Sequence, residues 1–263
     1  MTSPPRDLVR NAVRDKLARD EVVLSMSIRL VRTMEIAALA QSAGFDSIYI
    51  DVEHSSFSLD TTSQICMAGL ASGITPFVRV PSIDVIPRVL DGGALGVIAP
   101  HVQSAQDAAR VVRAAKYPPL GDRSFTGALP QLGFRPFSAA EALPALNDAT
   151  TVVAMIESAE ALGAVDEIAA VDGVDLLFIG TNDLCLSLGI PGQFDHALVR
   201  DSYTRTMGAC RRHGKHLGIG GLAGQPKLVA EFIKLGARYV STGTDLSFLL
   251  GAATARVKQM RAL

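Results

Sequence analysis

A chain of 263 residues is close to the ~250 of a single (β/α)8 barrel and long for two average domains. Hydrophobic residues make up 48% of it and are mostly Ala, Val, Leu and Ile, the side chains that fill the layered interior of a parallel barrel. A formal net charge of -1 gives no electrostatic reason to expect nucleic acid or an anionic membrane as partner.

The first segment, MTSPPRDLVRNAVRDKLARDE, is charged and lacks the apolar core of a signal peptide. No stretch reaches the ~18 uninterrupted apolar residues that a bilayer crossing needs. Cys66, Cys185 and Cys210 are odd in number and scattered, which reads as buried free thiols rather than a disulfide framework or a CxxC metal site. A reducing cytoplasm is the expected location.

Short runs rich in branched aliphatic residues recur at 22–28, 47–52, 75–80 and 96–100. The second half repeats them at 151–157, 175–180, 216–221 and 238–243. Several are almost continuously apolar, as strands covered on both faces are. Between them, TMEIAALAQSAG, SAQDAARVVRAAK and QPKLVAEFIKLG carry apolar residues at helical spacing. Ser104 is placed to cap one helix, and Ser158 with Glu160 to open another. Eight alternating units predict an α/β fold, a closed (β/α)8 TIM barrel forming one domain over 1–263; a doubly wound sheet is the rival. The proline- and glycine-rich segment 116–150 breaks the rhythm. A connection of that length reads as functional or oligomer-forming, and acceptor selectivity is expected to depend on it and on a neighbouring subunit.

In such a barrel the chemistry sits where strands finish. The second run ends in Asp51, Glu53 and His54, the third in Arg79, the fifth in Glu157, and the sixth leads into Thr181, Asn182 and Asp183; Asp84 and Asp91 follow the third. Glu157 and Asp183 arrive directly after apolar runs on neighbouring strands. Two such carboxylates without a His or Cys cluster suit a hard cation such as Mg²⁺ or Mn²⁺, whereas each alone also reads as a helix-start residue. Arg79 is either a structural salt-bridge partner or a cation aimed at a developing enolate oxygen. His54 reads as the only histidine immediately after a strand, and the density of DVEH favours acid–base work with an aspartate orienting the ring. The backbone N–H groups of GTNDL (180–184) could hold a carboxylate, though a plain helix start explains the segment equally well. No lysine falls at a strand's C-terminal end, as a Schiff-base aldolase requires, and Lys215 precedes the seventh strand. GIGGLAG (218–224) loosely resembles a phosphate loop, but its place in the seventh unit argues against a dinucleotide fold.

Taken together, IDVEHSSF, FVRVPSIDVIPRVLDGGALGVIAPHV, AAKYPPLGDRS, MIESAEAL, VDLLFIGTNDLCLSLGIPG and STGTD resemble the HpcH/HpaI aldolase family in order and spacing over roughly residues 20–255. The resemblance implies a phosphoenolpyruvate/pyruvate-type barrel and a class II, metal-dependent pyruvate aldolase. By motif position it makes Glu157 and Asp183 the ligands of Mg²⁺ or Mn²⁺, with Co²⁺ also admissible. Arg79 becomes the enolate-stabilising arginine, and His54 the base, oriented by Asp91 and acting through water. Arg79, Gly180, Thr181, Asn182 and Asp183 would hold the substrate. It also implies a homo-oligomer, hexamer or trimer, that exchanges its C-terminal helix. The chain has GTNDL where well-known members carry Gly-Pro-Ala-Asp, and Met155 where they carry glutamine, which is similar to the macrophomate-synthase-like branch. The reaction read from this is cleavage of a 4-hydroxy-2-oxo acid to pyruvate and an aldehyde. The alternatives are oxaloacetate decarboxylation, coenzyme A ester lysis, and a metal-free sugar-phosphate isomerase using GIGGLAG and STGTD.

Overall fold

Eight parallel strands close on themselves in sequence order, each hydrogen-bonded to the next and the last to the first, in a computed structural model that describes residues 8–263. They are β1 (Val23–Ile28), β2 (Ser47–Asp51), β3 (Thr75–Arg79), β4 (Gly96–Ala99), β5 (Thr151–Ile156), β6 (Leu176–Gly180), β7 (His216–Gly220) and β8 (Tyr239–Thr244). Every boundary falls within one residue of the apolar runs, because strands buried on both faces leave an unbroken hydrophobic signature. The closed barrel expected from the eight alternating units is the fold, and the rival doubly wound sheet is excluded. The part of the signal-peptide reading that concerns residues 1–7 lies outside the described residues.

Two packed layers share the strands. The outer layer joins strand to helix, and the inner one fills the barrel with Tyr49, Phe77, Phe178 and Tyr239 among aliphatic neighbours. The Phe77 and Tyr239 rings stack at 5.6 Å, and Phe178 meets Tyr239 edge-on at 5.9 Å. Rings of that size fit because facing positions have no side chain. A Cβ at Gly96 would lie 2.6 Å from Phe77, and one at Gly218 2.5 Å from Phe178.

The helix Ala12–Ala18 plugs the N-terminal end, placing Val13 and Leu17 in the inner cluster. Asn11 caps it and ties it down, donating its amide to the carbonyls of Ala149 at 2.7 Å and Leu95 at 3.2 Å. Ser104 and Ser158 cap their helices as read from sequence, accepting from the N–H of Asp107 and Ala161. The three cysteines are free and buried. Among the described residues no helix is long and apolar enough to cross a membrane.

Segment 116–150 does not reach the open mouth by its buried contacts. Tyr117, Leu129, Leu132 and the helix Ala139–Ala149 pack with Val9 and Leu95, beside the entry to β4 and β5. Within one chain it therefore supports the end of the barrel opposite the mouth, so a part in acceptor selectivity would have to run through a neighbouring subunit. The helix Asp245–Arg261 has the opposite character. It leaves β8 with only Asp245 buried, exposing Leu246, Phe248, Leu249, Leu250, Val257 and Met260.

Candidate active site

The strand C-termini surround a cavity of about 380 Å³ whose wall includes Arg29, His54, Arg79, Gly180, Asn182 and Asp183. A larger cavity, about 580 Å³, lies at the other end beside helix Ala12–Ala18. Its charges are already matched, with Arg14 on Asp175 at 2.6 Å, so the smaller cavity holds the chemistry.

Parallel register sets the central ion pair. Asp51 and Arg79 end adjacent strands as direct partners, so both side chains leave the sheet at one level. Arg79 Nε donates to Asp51 Oδ1 at 3.0 Å and Nη2 to Oδ2 at 2.5 Å, a bidentate fork, and Nη1 lies 3.2 Å from Glu53 Oε2. Burial alone would raise the Asp51 carboxyl, but Arg79's hydrogen bonds and charge outweigh it, helped by the His54 N–H and Arg29, and hold it below the ordinary range. Arg79 is likewise held above its ordinary value: burial opposes its charge, and the hydrogen bond and charge of Asp51 overcome that opposition. The two readings of Arg79 merge, since the salt bridge fixes a guanidinium that lines the cavity.

His54 is half exposed beside the same network. Its backbone N–H donates to Asp51 Oδ1 at 3.1 Å, and its ring Nε2 is 3.6 Å from Glu53 Oε2. Asp91 is elsewhere. It ends the helix Ile86–Asp91, which runs away from the mouth, and pairs with Arg123 Nη2 at 2.7 Å. Among the described residues His54 and Asp91 share no ion pair, so the orientation of His54 by Asp91 is not made within this chain; Glu53 stands at the ring instead.

Glu157 follows β5 directly and is almost fully buried. Its Oε1 accepts from the His101 backbone N–H at 2.7 Å and lies 3.1 Å from the His101 ring Nδ1. Its Oε2 turns toward Gly180, where an added Cβ would come within 2.9 Å, so a side chain at that position would crowd the carboxylate. Asp183 sits in the first turn of the helix Thr181–Ser187, which starts from β6 without a loop. Burial raises the Glu157 carboxyl; His101 opposes that, while the charges of Asp183 and Glu53 add to it. Two carboxylates crowded in this way fit a divalent cation, which would relieve both burial and repulsion. A cation held by two carboxylates would keep positions for water and substrate; among the described residues no group of three or more His, Cys, Asp or Glu side chains is placed to hold a metal.

His101 was not foreseen in the sequence. It follows β4 by two residues, has a left-handed backbone (φ 58°), and sets its ring between Glu53 Oε1 at 2.9 Å and Glu157 Oε1 at 3.1 Å. His54 is therefore not the only histidine after a strand. The available signal was the run 96–100, which His101 directly follows. Arg29, just past β1, was also missed; its Nε is 3.2 Å from Asp51 Oδ2 and its Nη2 donates to the His54 carbonyl at 3.2 Å. Thr181 lines the cavity but spends its hydroxyl on the Gly220 carbonyl at 2.6 Å and the Tyr203 hydroxyl at 2.8 Å. It holds β6 against β7 and offers a ligand only backbone. In GIGGLAG, Gly221 (φ +79°) passes so close to Asn182 that a Cβ would lie 2.7 Å from its amide nitrogen, and the segment forms a wall of this same cavity.

Ionisable groups gathered at the C-terminal mouth of a closed barrel define a (β/α)8-barrel enzyme. The family model described as HpcH/HpaI aldolase/citrate lyase matches residues 30–252, and the chain belongs to that family. It is 42% identical to a 4-hydroxy-4-methyl-2-oxoglutarate aldolase of Hapsidospora irregularis, over 92% of each chain. The crystal structure of an HpcH/HpaI aldolase from Desulfitobacterium hafniense superimposes with a TM-score of 0.89 at 31% identity, covering 95% of this chain and 96% of that one. Macrophomate synthase superimposes with a TM-score of 0.81 at 23% identity, over 95% of this chain and 88% of that one, a likeness of fold. The chemistry of the class is carbon–carbon bond lysis of the aldolase type.

Proposed function

We propose that the chain cleaves a 4-hydroxy-2-oxo acid to pyruvate and a carbonyl product, and makes it in the reverse direction, using Mg²⁺ or Mn²⁺ held by Glu157 and Asp183. One observation carries the reading: Arg79, fixed by Asp51 and Glu53, lines the same cavity as Asp183, and the Glu157 carboxylate lies behind its Gly180 wall within reach of the Asp183 charge. When bound, the cation would act as a Lewis acid on the keto oxygen. His54 removes the proton of the C4 hydroxyl, the C3–C4 bond breaks, and its electron pair passes to the C2 oxygen as an enolate. Arg79 offers that developing charge a donor already oriented before reaction, so little reorganisation is needed. A proton delivered to C3 then gives pyruvate. Met155 and Phe178 keep the cavity floor apolar, which strengthens each of these interactions.

A 4-hydroxy-2-oxo acid is the substrate class named for the Hapsidospora relative, which supports the assignment. The exposed apolar residues of helix Asp245–Arg261 support a homo-oligomer, hexamer or trimer, in which that helix packs on a neighbouring copy. Three buried free thiols support a cytoplasmic location.

Deuterium exchange at the pyruvate methyl group in D₂O, followed by NMR, tests the chemistry. Metal-stripped protein should exchange slowly, added Mg²⁺ or Mn²⁺ should restore exchange, and Arg79→Ala should lose about 10²-fold or more. Absence of exchange in the metal-loaded protein removes pyruvate as the nucleophile.

A further inference from the structure

His101 is an ionisable group of the mouth that the cleavage chemistry leaves without a task. Of the non-glycine residues with positive φ among the described residues, it alone follows the C-terminal end of a strand. A side chain adopts that left-handed backbone at a cost, so its surroundings must hold it there. Core packing does not, since the ring is 74% exposed. It meets charge instead. Nε2 lies 2.9 Å from Glu53 Oε1 and Nδ1 lies 3.1 Å from Glu157 Oε1. The glutamate side chains are 12% and 7% exposed, so the ring lies over them from the solvent side.

The order of strands explains why this task falls to β4. Around the closed ring run β2, β3, β4 and β5, with Glu53 just past β2 and Glu157 just past β5. The two glutamates therefore stand on walls that do not touch. Between them, β3 ends in Arg79, which is already engaged with Asp51 and Glu53. The segment after β4 is the remaining place from which one side chain can reach both.

Each glutamate divides its two oxygens. Glu53 turns Oε1 to His101, while its Oε2 lies 3.2 Å from Arg79 Nη1 and 3.6 Å from the His54 ring Nε2. Glu157 turns Oε1 to His101 twice over, to the ring and to the backbone N–H that donates at 2.7 Å. Its Oε2 lies beside Gly180 and accepts no hydrogen bond among the described residues. A line of contacts thus runs from Glu157 through His101 and Glu53 to Arg79 and His54. A carboxylate with one oxygen engaged in this way has the direction of the other fixed, which is how outer partners strengthen the hold of a site on a cation.

We propose that His101 is a positioning residue that keeps Glu157 Oε2 free for the cation and, through Glu53, ties Glu157 to Arg79, so that cation and guanidinium keep one spacing. The proposal rests on the aldolase reading above and adds to it a residue that touches neither substrate nor cation.

Mn²⁺ titrations without substrate, with free Mn²⁺ read by electron paramagnetic resonance, give affinity apart from turnover. His101→Gly and His101→Asn separate the contacts. Glycine accepts the φ of 58° and keeps the backbone N–H on Glu157, so its effect reports the ring alone. Asparagine tolerates the same backbone and sets an amide nitrogen near the place of Nδ1, but is too short to replace Nε2. His101→Gly should raise the Mn²⁺ Kd about tenfold or more, and His101→Asn should recover most of that loss. Pyruvate methyl exchange at saturating Mn²⁺ reads the contact with Glu53. Its kcat should fall about tenfold in both variants, with the pyruvate KM changed less. Wild-type Mn²⁺ affinity in His101→Gly overturns the proposal, and so does an equal loss of affinity in both variants. Wild-type kcat in both at saturating Mn²⁺ overturns it too, because His101 then has no hold on Arg79. If wild-type protein binds Mn²⁺ but exchanges nothing, the aldolase reading fails, and the affinities still decide whether His101 positions Glu157. If it binds no Mn²⁺, both fail.

Discussion

Asp51 lies wholly buried between two arginines, and most of the site's order depends on it. Asp51→Asn keeps the shape but leaves Arg79 buried with Glu53 as its one anion, and removing a partner from a buried pair costs about 3 kcal/mol or more. Urea unfolding at neutral pH should show a loss of that size. The pH dependence has a definite sign. The folded carboxyl is held below its ordinary 3.8, so its contribution is fully present above that value and is lost as pH falls through the lower folded one. Wild-type stability should therefore drop steeply below about pH 4, and the Asp51→Asn curve should be flatter across the same interval. An equal slope in both would place the acid sensitivity in other carboxylates. At this scale the sequence was partly legible. Arg79 and Glu157 stood out because a charge that ends an apolar run must be matched. Arg29 did not, since an arginine in IRLVR reads as an ordinary solvated turn until ring closure sets β1 across from β5. His101 adjoined a recognised run, but its left-handed backbone, which swings the ring between two glutamates, has no signature in residue type. Asp91 misled for the converse reason: it follows the third strand closely in sequence, and one short helix carries it away from the mouth.

Strands were the most legible elements, because burial on both faces removes the polar half of the usual alternation. The inner aromatic packing was not, since nothing in GVIA or HLGIG announces that Phe77 and Phe178 occupy the space beside Gly96 and Gly218. That packing makes a sharp prediction. Gly218→Ala would set a Cβ 2.5 Å from a ring already held edge-on by Tyr49 and Tyr239. Overpacking of this kind costs typically 1–3 kcal/mol, about what thermal or urea melts should register, with the metal requirement for exchange retained. Segment 116–150 belongs at this scale too. Length and composition marked it as unusual, but only its hydrophobic contacts with Leu95 and Val9 show that it props up the closed end.

The whole molecule ends in a helix that one chain does not cover. Leu249 and Leu250 are about as exposed as a surface lysine would be, at 60% and 62%, in an enzyme whose other large apolar side chains are mostly inside. Light scattering coupled to size exclusion should give a multiple of the 27.7 kDa chain mass, and Leu249→Glu with Leu250→Glu should shift the population to smaller species. A wild-type monomer at micromolar concentration would leave that helix without its proposed partner. The root of the helix is Asp245, and its carboxylate also grips the backbone of Arg29, Leu30 and Val31. Linkage makes such a grip reciprocal: order imposed on the helix sharpens the turn that carries Arg29, and order imposed on that turn stiffens the helix in return. Packing on that helix and order at the cavity mouth would then rise and fall together.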